Sequence, residues 1–344
     1  MAGTAADVRE VILELARRFK LKNLGRVHHL LGMEVNYMPG RMLCFSQTAY
    51  IERLAEKFGL ASARPVRSPQ FHHEKTLKIE TDEAKINDPS LPYREIVGSL
   101  QYLVACTRPD LANAVRTLGR YMGAYTVENY RAAQRVVLYA LATKRMGLVY
   151  RATPELPMLD AYCDADHQSC PETSRSVTGY LLRLHGNMWM WKSHSQRRVT
   201  EDTCGSELVA CCECCKMVVW ARELLLELGF GGKDLQVPLW CDNQSAIAVV
   251  ASNGNTSRVR HMAKHARFIN EYVQEEEVEV MYVPTSDNLA DVFTKALGPA
   301  EFERQRSRLN VEDVPNAWVM VEAVADTEAG ASSNADEDCE MLEA

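Results

Sequence analysis

Residues 158–166 read MLDAYCDAD and residues 176–184 read SVTGYLLRL. Both are short runs rich in aliphatic, aromatic and β-branched residues, which predicts two strands. A third strand candidate, MWMWKSH at 188–194, joins the second through His185-Gly186-Asn187, a hairpin turn signal. Trp189 and Trp191 alternate with Met188 and Met190 there, so one face of that strand belongs to a core and the other is either core or groove wall. A long helix over 203–228 ends at Gly229, and VPLWCD (237–242) then predicts a fourth strand. A short helix (245–252), a longer one (264–276), the strand VEVMYVP (278–284) and a closing helix (287–297) complete the unit. This βββαβααβα order implies an α/β domain whose mixed sheet of five strands combines an antiparallel hairpin with helical crossovers between parallel strands.

Before this unit the pattern is mainly helical. Val8, Val11, Ile12 and Leu15 fall at helical spacing, and the segments flanking Met38-Pro39-Gly40-Arg41 read as a hairpin. Helices are predicted over 48–60, 93–106, 109–123 and 127–145, with a polar, proline-bearing linker between about 61 and 92. The net charge of -7 is uneven: residues 321–344 hold eight acids and no Lys or Arg, which leaves 38 acids against 39 bases elsewhere. A tail beyond about 312 therefore has little to bury and is expected to be disordered and dispensable for folding. A nearly neutral body lacks the overall basic field of many nucleic-acid binders, so any such contact must come from local patches. No apolar run approaches the roughly eighteen residues needed to span a bilayer, and no signal-peptide core is present, which predicts an intracellular protein, cytoplasmic or nuclear, without a membrane partner. Eleven Cys is an odd number, and the clustering at Cys204, Cys211, Cys212, Cys214 and Cys215 suits reduced thiols. On a helix Cys211 and Cys215 share a face while Cys212 and Cys214 point elsewhere, which favours packing over a zinc site.

Four acids stand at or near element ends: Asp164 on the first strand, Glu207 in the first turns of the long helix, Asp242 closing the fourth strand and Asp291 in the closing helix. Converging acids repel and desolvate one another, and they stay ionised together only beside cations. Oxygen-only ligation points to Mg²⁺ or Mn²⁺, and two such ions about 3.5–4 Å apart serve in-line phosphodiester hydrolysis. With 46 acids in 344 residues, ordinary surface or capping roles remain open, and Asp242-Asn243 can equally cap the next helix.

The ordered motifs Tyr162-Cys163-Asp164-Ala165-Asp166, Ser176-Val177-Thr178-Gly179-Tyr180, Trp191-Lys192-Ser193, Cys241-Asp242-Asn243-Gln244-Ser245-Ala246, Arg260-His261, Tyr282-Val283-Pro284-Thr285 and Leu289-Ala290-Asp291-Val292-Phe293-Thr294-Lys295 resemble the ribonuclease H domain of copia-type retrotransposon Pol polyproteins. Upstream, Leu31-Gly32-Met33-Glu34-Val35, Val97-Gly98-Ser99-Leu100 and Thr107-Arg108-Pro109-Asp110 resemble the end of that family's reverse transcriptase. The resemblance implies a ribonuclease H-like domain over 151–311, preceded over 1–150 by a thumb- and connection-like remnant and followed over 312–344 by the acidic tail. It implies that Asp164 bridges two Mg²⁺ (or Mn²⁺) ions, that Asp291 helps hold the ion activating water, and that Glu207 and Asp242 hold the ion beside the leaving oxygen. It further implies an RNA:DNA hybrid as substrate, contacted by Lys192, Asn243, Ser245, Arg260 and His261, and the upstream polymerase part of the polyprotein as a partner. For His261 a structural role is equally open.

Departures from the family pattern are His167-Gln168-Ser169 after the first strand and Gly205 ahead of Glu207, which weakens the helix start and could displace the acid. The paired palm aspartates of a polymerase do not occur in the chain, so DNA synthesis is not expected. A ribonuclease H module is thus expected, with a catalytically inactive nucleic-acid-binding remnant, a thiol-based metal binder and an integrase-like nuclease as alternatives. An integrase-like site lacks the helix acid that Glu207 supplies here.

Overall fold

A computed structural model describes residues 5–22, 25, 27–38, 40–71, 86–170, 172–254 and 262–314. Helix α1 (Ala5–Arg18) precedes β1 (His29–Leu30), β2 (Met33–Met38) and β3 (Met42–Ser46). The β2–β3 hairpin pairs Val35 with Phe45, and its polar turn closes between Met38 and Met42, as the turn residues predict. Helix α2 (Thr48–Lys57) buries Ile51, Leu54 and Ala55, one stripe at helical spacing. It packs with α3 (Tyr93–Cys106), α4 (Ala112–Gly119), which a 3₁₀ turn at Pro109–Leu111 introduces, and α5 (Val127–Ala142), which Thr126 and Asn129 start with a reciprocal capping box.

Strand β4 (Met146–Arg151) then joins β3, an element the sequence pattern does not announce. A Cβ on Gly147 would lie 2.1 Å from the Phe45 carbonyl oxygen, so only glycine allows this approach. The expected division after residue 150 falls inside β4, because the strand is held between β3 and residues Val311–Asp313.

The second sheet contains β5 (Leu159–Asp166), β6 (Val177–Leu184), β7 (Asn187–Ser195), β8 (Val237–Cys241) and β9 (Val278–Tyr282). Its order is β7-β6-β5-β8-β9, antiparallel across β7, β6 and β5 and parallel from β5 to β9. This is the expected mixed five-stranded sheet, an antiparallel hairpin continued by parallel strands. Helix α6 (Thr203–Glu227) lies on it, covered in turn by α7 (Gln244–Ala251) and α8 (Ala263–Gln274). Being covered on both sides, α6 buries Cys212 and Cys214 as fully as Cys211 and Cys215, whereas heptad-like spacing alone predicts only one buried face.

The closing helix expected over 287–297 is replaced by 3₁₀ turns at Thr285–Asp287 and Leu289–Phe293. Every residue from Leu289 to Phe293 is buried, which suits an irregular plug better than one face of a helix. Asn288 anchors it, accepting from the Ala290 N–H at 3.1 Å and donating to the Cys163 carbonyl at 2.9 Å. The last helix among the described residues, α9 (Pro299–Arg308), starts with proline in its first turn. It is followed by β10 (Val311–Asp313), which pairs with β4 and completes the first sheet, β1-β2-β3-β4-β10. Glu312 and Asp313, expected in the tail, are therefore strand residues, and Glu312 binds Arg151 at 2.7 Å; the tail from residue 315 on lies outside the described residues, as do residues 72–85 of the expected linker.

The two sheets share packing. Leu181, Met188 and Phe293 belong to the same core as Ile51, Leu100 and Tyr139. Fully buried Arg108 donates to Asp110 at 2.9 and 2.8 Å, Tyr139 donates to Asp110 at 2.9 Å, and Arg306 of α9 donates to the Tyr139 hydroxyl at 3.0 Å. No described helix is long and apolar enough to cross a membrane.

Candidate active site

Parallel pairing of Tyr162 with Trp240 brings the ends of β5 and β8 side by side, so Asp164 and Asp242 meet at one edge of the sheet. Asp164 is fully buried, opposite Gly179 of β6. Gly179 makes room for the segment that carries Asp291: a Cβ there would meet the Phe293 Cβ and the Thr294 Cγ2 at 2.7 Å. Glu207 arrives from the first turns of α6. Its helix start is intact, because Asp202 caps it by accepting from the Gly205 N–H at 2.6 Å. A Cβ on Gly205 would approach that carboxylate to 3.1 Å, so the glycine fits the cap and leaves Glu207 in place.

The four acids converge in two overlapping sets. Asp164, Asp242 and Asp291 each offer a carboxylate oxygen within 4.8 Å of the others, and Glu207, Cys241 and Asp242 offer ligand atoms under the same limit. Asp242 belongs to both. One Glu207 carboxylate oxygen is buried with no hydrogen-bond partner. Burial, with Asp164 next, pushes the Glu207 carboxyl up to about 11, and the same causes push Asp291 up to about 7. Asp242 is raised by burial and Asp164, and Asp166 by burial, against which Lys295 acts.

Lys295 and Thr294 supply what the acids alone lack. The Lys295 Nζ lies 2.7 Å from Asp291 Oδ1 and 3.2 Å from Asp164 Oδ1, and the Thr294 hydroxyl donates to the other Asp164 oxygen. Beside them, a cavity of about 150 Å³ is lined by Arg116, Arg120, Arg135, Asp166, Ser169 and Thr294, so helices of the first unit form one wall of the site. Burial lowers the Arg116 guanidinium to about 10, with Arg120 adding to the effect.

Of the residues expected at a nucleic acid, Lys192 is exposed on β7 and Ser245 is exposed in the first turn of α7. Asn243 caps α7, accepting from the Ala246 N–H at 2.9 Å. The cap is thus Asn243, and the Asp242 carboxylate is left to the acid cluster. Arg260 and His261 lie outside the described residues. Trp191 donates from Nε1 to the Val104 carbonyl at 2.9 Å and, with Trp189 and Lys192, lines an open cavity of about 550 Å³ between β7 and the first unit's helices. Sequence reasoning misses Lys295, Thr294, Asp166, Cys241 and Arg116 as site residues, although all but Arg116 stand in the motifs that contain Asp164, Asp242 and Asp291, and that adjacency is the available signal.

No family model matches the chain. The retrovirus-related Pol polyprotein from transposon TNT 1-94 of Nicotiana tabacum is 34% identical over 294 residues, covering 84% of this chain and 22% of that protein. The corresponding polyprotein from transposon RE1 of Arabidopsis thaliana is 34% identical over 301 residues, 88% of this chain and 20% of that protein. The chain thus spans about a fifth of the length of these curated relatives. An uncharacterized mitochondrial protein of Arabidopsis thaliana is 31% identical over 211 residues, 61% of this chain and 85% of that one. Among solved structures, RNase H1 from the halophilic archaeon Halobacterium salinarum matches at 19% identity and a TM-score of 0.29, covering 40% of this chain and 93% of that one.

Proposed function

Because the chain belongs to the copia-type retrotransposon Pol family, we propose that its ribonuclease H-type domain hydrolyses the RNA strand of RNA:DNA hybrids with two divalent ions. Asp164, Glu207, Asp242 and Asp291 would hold them. The observation that carries this reading is Glu207, only 4% exposed yet with an oxygen that no hydrogen bond satisfies, set against three further acids. A buried carboxylate in that position is costly unless a cation completes it. A mainly oxygen donor set fits Mg²⁺ or Mn²⁺. Such ions supply an activated water and stabilise charge on the leaving oxygen.

The chain's own residues do the positioning. Asp164 is fixed by β5 and by the Thr294 hydroxyl, and Asp291 rides on the plug seated over Gly179. Lys295 keeps a positive charge beside both and reduces their repulsion. Lys192, Asn243 and Ser245, with Arg260 and His261, are proposed to contact a hybrid, which is recognised through shape, phosphates and 2′-hydroxyls. The upstream polymerase part of a polyprotein is the proposed protein partner.

The test is cleavage of an end-labelled RNA:DNA hybrid in Mg²⁺, with Asp164→Asn expected to be inactive and duplex DNA left intact. An Asp164→Asn chain that cuts as well as wild type refutes the assignment. Lys295 also favours a second reading, a nucleic-acid-binding remnant that no longer cuts, because its ammonium stands between two acids that an ion would use. Hybrid binding without cleavage in either Mg²⁺ or Mn²⁺ would establish that reading instead.

A further inference from the structure

Cys241 closes β8 directly before Asp242, is fully buried, and places its sulfur within 4.8 Å of carboxylate oxygens of both Glu207 and Asp242. It shares the apolar core around α6 with the cysteines of that helix, but among the described cysteines it alone falls in a group of three metal-capable side chains. The backbone N–H of Asn243 approaches the Cys241 sulfur at 3.5 Å, which leaves the sulfur oriented toward the strand end. Glu207 provides the independent sign of a missing ligand: it is 4% exposed, one of its carboxylate oxygens has no hydrogen-bond partner, and its carboxylate belongs to this same group of three.

We propose that Glu207, Cys241 and Asp242 form a mixed sulfur–oxygen ion position that takes Zn²⁺ in preference to Mg²⁺, and that Zn²⁺ held there blocks the Mg²⁺-supported reaction. This rests on the proposed function in taking Glu207 and Asp242 as ion ligands. Mg²⁺ demands oxygen ligands in near-octahedral geometry and dehydrates reluctantly, whereas Zn²⁺ accepts thiolate and carboxylate together in a tetrahedral shell. Ligation converts the Cys241 thiol to thiolate and releases its proton to solvent. The neighbouring set of Asp164, Asp242 and Asp291 holds only oxygen and stays suited to Mg²⁺. Since Asp242 is common to both sets, an ion drawn toward sulfur takes a ligand from its neighbour, and the block follows.

The full chain is loaded with Co²⁺ or Zn²⁺ alone. Co²⁺ should give a near-ultraviolet sulfur-to-metal charge-transfer band that is lost in Cys241→Ser and Cys241→Ala and kept in Cys212→Ser. Zinc-edge absorption of the wild-type chain should show one sulfur at about 2.3 Å. Zn²⁺ affinity should fall at least about tenfold in the Cys241 variants, the lower end of what loss of even an outer partner costs a metal site. An all-oxygen zinc shell in wild type, or a band that survives in either Cys241 variant, overturns the proposal, and the wild-type absorption measurement decides even where a variant fails to fold. Hybrid cleavage in Mg²⁺ is assayed on the same preparations. A chain that never cleaves removes the proposed function but leaves the sulfur ligand to be decided by the spectra.

Discussion

Replacing Glu207 with glutamine should separate ion binding from folding, because the carboxyl is pushed up to about 11 by burial first and then by Asp164, Cys241 and Asp242. Near pH 7 it therefore carries a proton that a bound ion must displace, and at about 1.4 kcal/mol per pH unit that displacement costs on the order of 5 kcal/mol. One proton released per ion makes the apparent affinity rise about tenfold per pH unit above pH 7. Asp291, pushed up to about 7, releases a second proton below that point and steepens the dependence there. Protonated glutamate and glutamine are alike in shape and charge, so Glu207→Gln should melt close to wild type in chelator at neutral pH. Its ion affinity should be weaker and its pH slope above 7 flat. For folding the sign runs the other way: both carboxyls are raised, so their stabilising contribution is fully present below the unfolded carboxyl values of about 4. It is lost as pH rises through about 7 for Asp291 and about 11 for Glu207. Calorimetric titration with Mn²⁺ in buffers of different ionisation enthalpy counts the protons, and thermal melts in chelator read the fold. Equal pH slopes for wild type and Glu207→Gln would refute the reasoning.

Lys295→Met removes the cation shared by Asp164 and Asp291; with the lysine side chain 34% exposed, the loss in chelator should be on the order of 2 kcal/mol. Mg²⁺ should then raise the variant's melting temperature more than it raises that of wild type, and an equal rise would count against Lys295 as the counter-cation. Gly179→Ala drives a methyl into Phe293 and Thr294, an overpacking that costs about 1–3 kcal/mol and should shift Asp291 enough to weaken Mg²⁺ binding in titration calorimetry. Arg108→Met leaves the Asp110 carboxylate buried without its counter-charge, with only the Tyr139 hydroxyl as a side-chain partner, and should cost about 3–5 kcal/mol in urea unfolding, far more than an exposed arginine would.

The elements legible in the sequence are those whose causes are local. The β6–β7 hairpin is read from His185-Gly186-Asn187 because the turn needs positive φ, and both His185 and Gly186 adopt it. Strands β4 and β10 are missed for the opposite reason. Met146 to Arg151 directly follows the helical pattern, and its partners lie at Met42 to Phe45 and Val311 to Asp313, so no hairpin turn nearby in the chain announces a strand. The plug at Leu289–Phe293 mimics a helix on paper because a run of apolar residues is compatible with either. What decides against the helix is Asn288, whose side chain is spent on the Cys163 carbonyl of a distant strand.

The same distinction divides the site. Four acids could be named from motif order because each stands in a motif whose place along the chain the order implies, and the structure does bring Asp164, Asp242 and Asp291 together, with Glu207 beside Asp242. Their charge balance could not be read that way, since it depends on which side chains fill the remaining space. Lys295 reaches Asp164 only because the chain beyond Phe293 lies against the bare Cα of Gly179, on a strand more than a hundred residues earlier. Cys241 counts as a possible ligand only because α6 sets the Glu207 carboxylate, one oxygen of which is unpartnered, near its sulfur. In both cases the residue type was visible in a motif, while its chemical meaning depends on a contact made by tertiary packing. A motif therefore names the acids, and the identity of the cations that balance them has to be measured at Lys295 and Cys241.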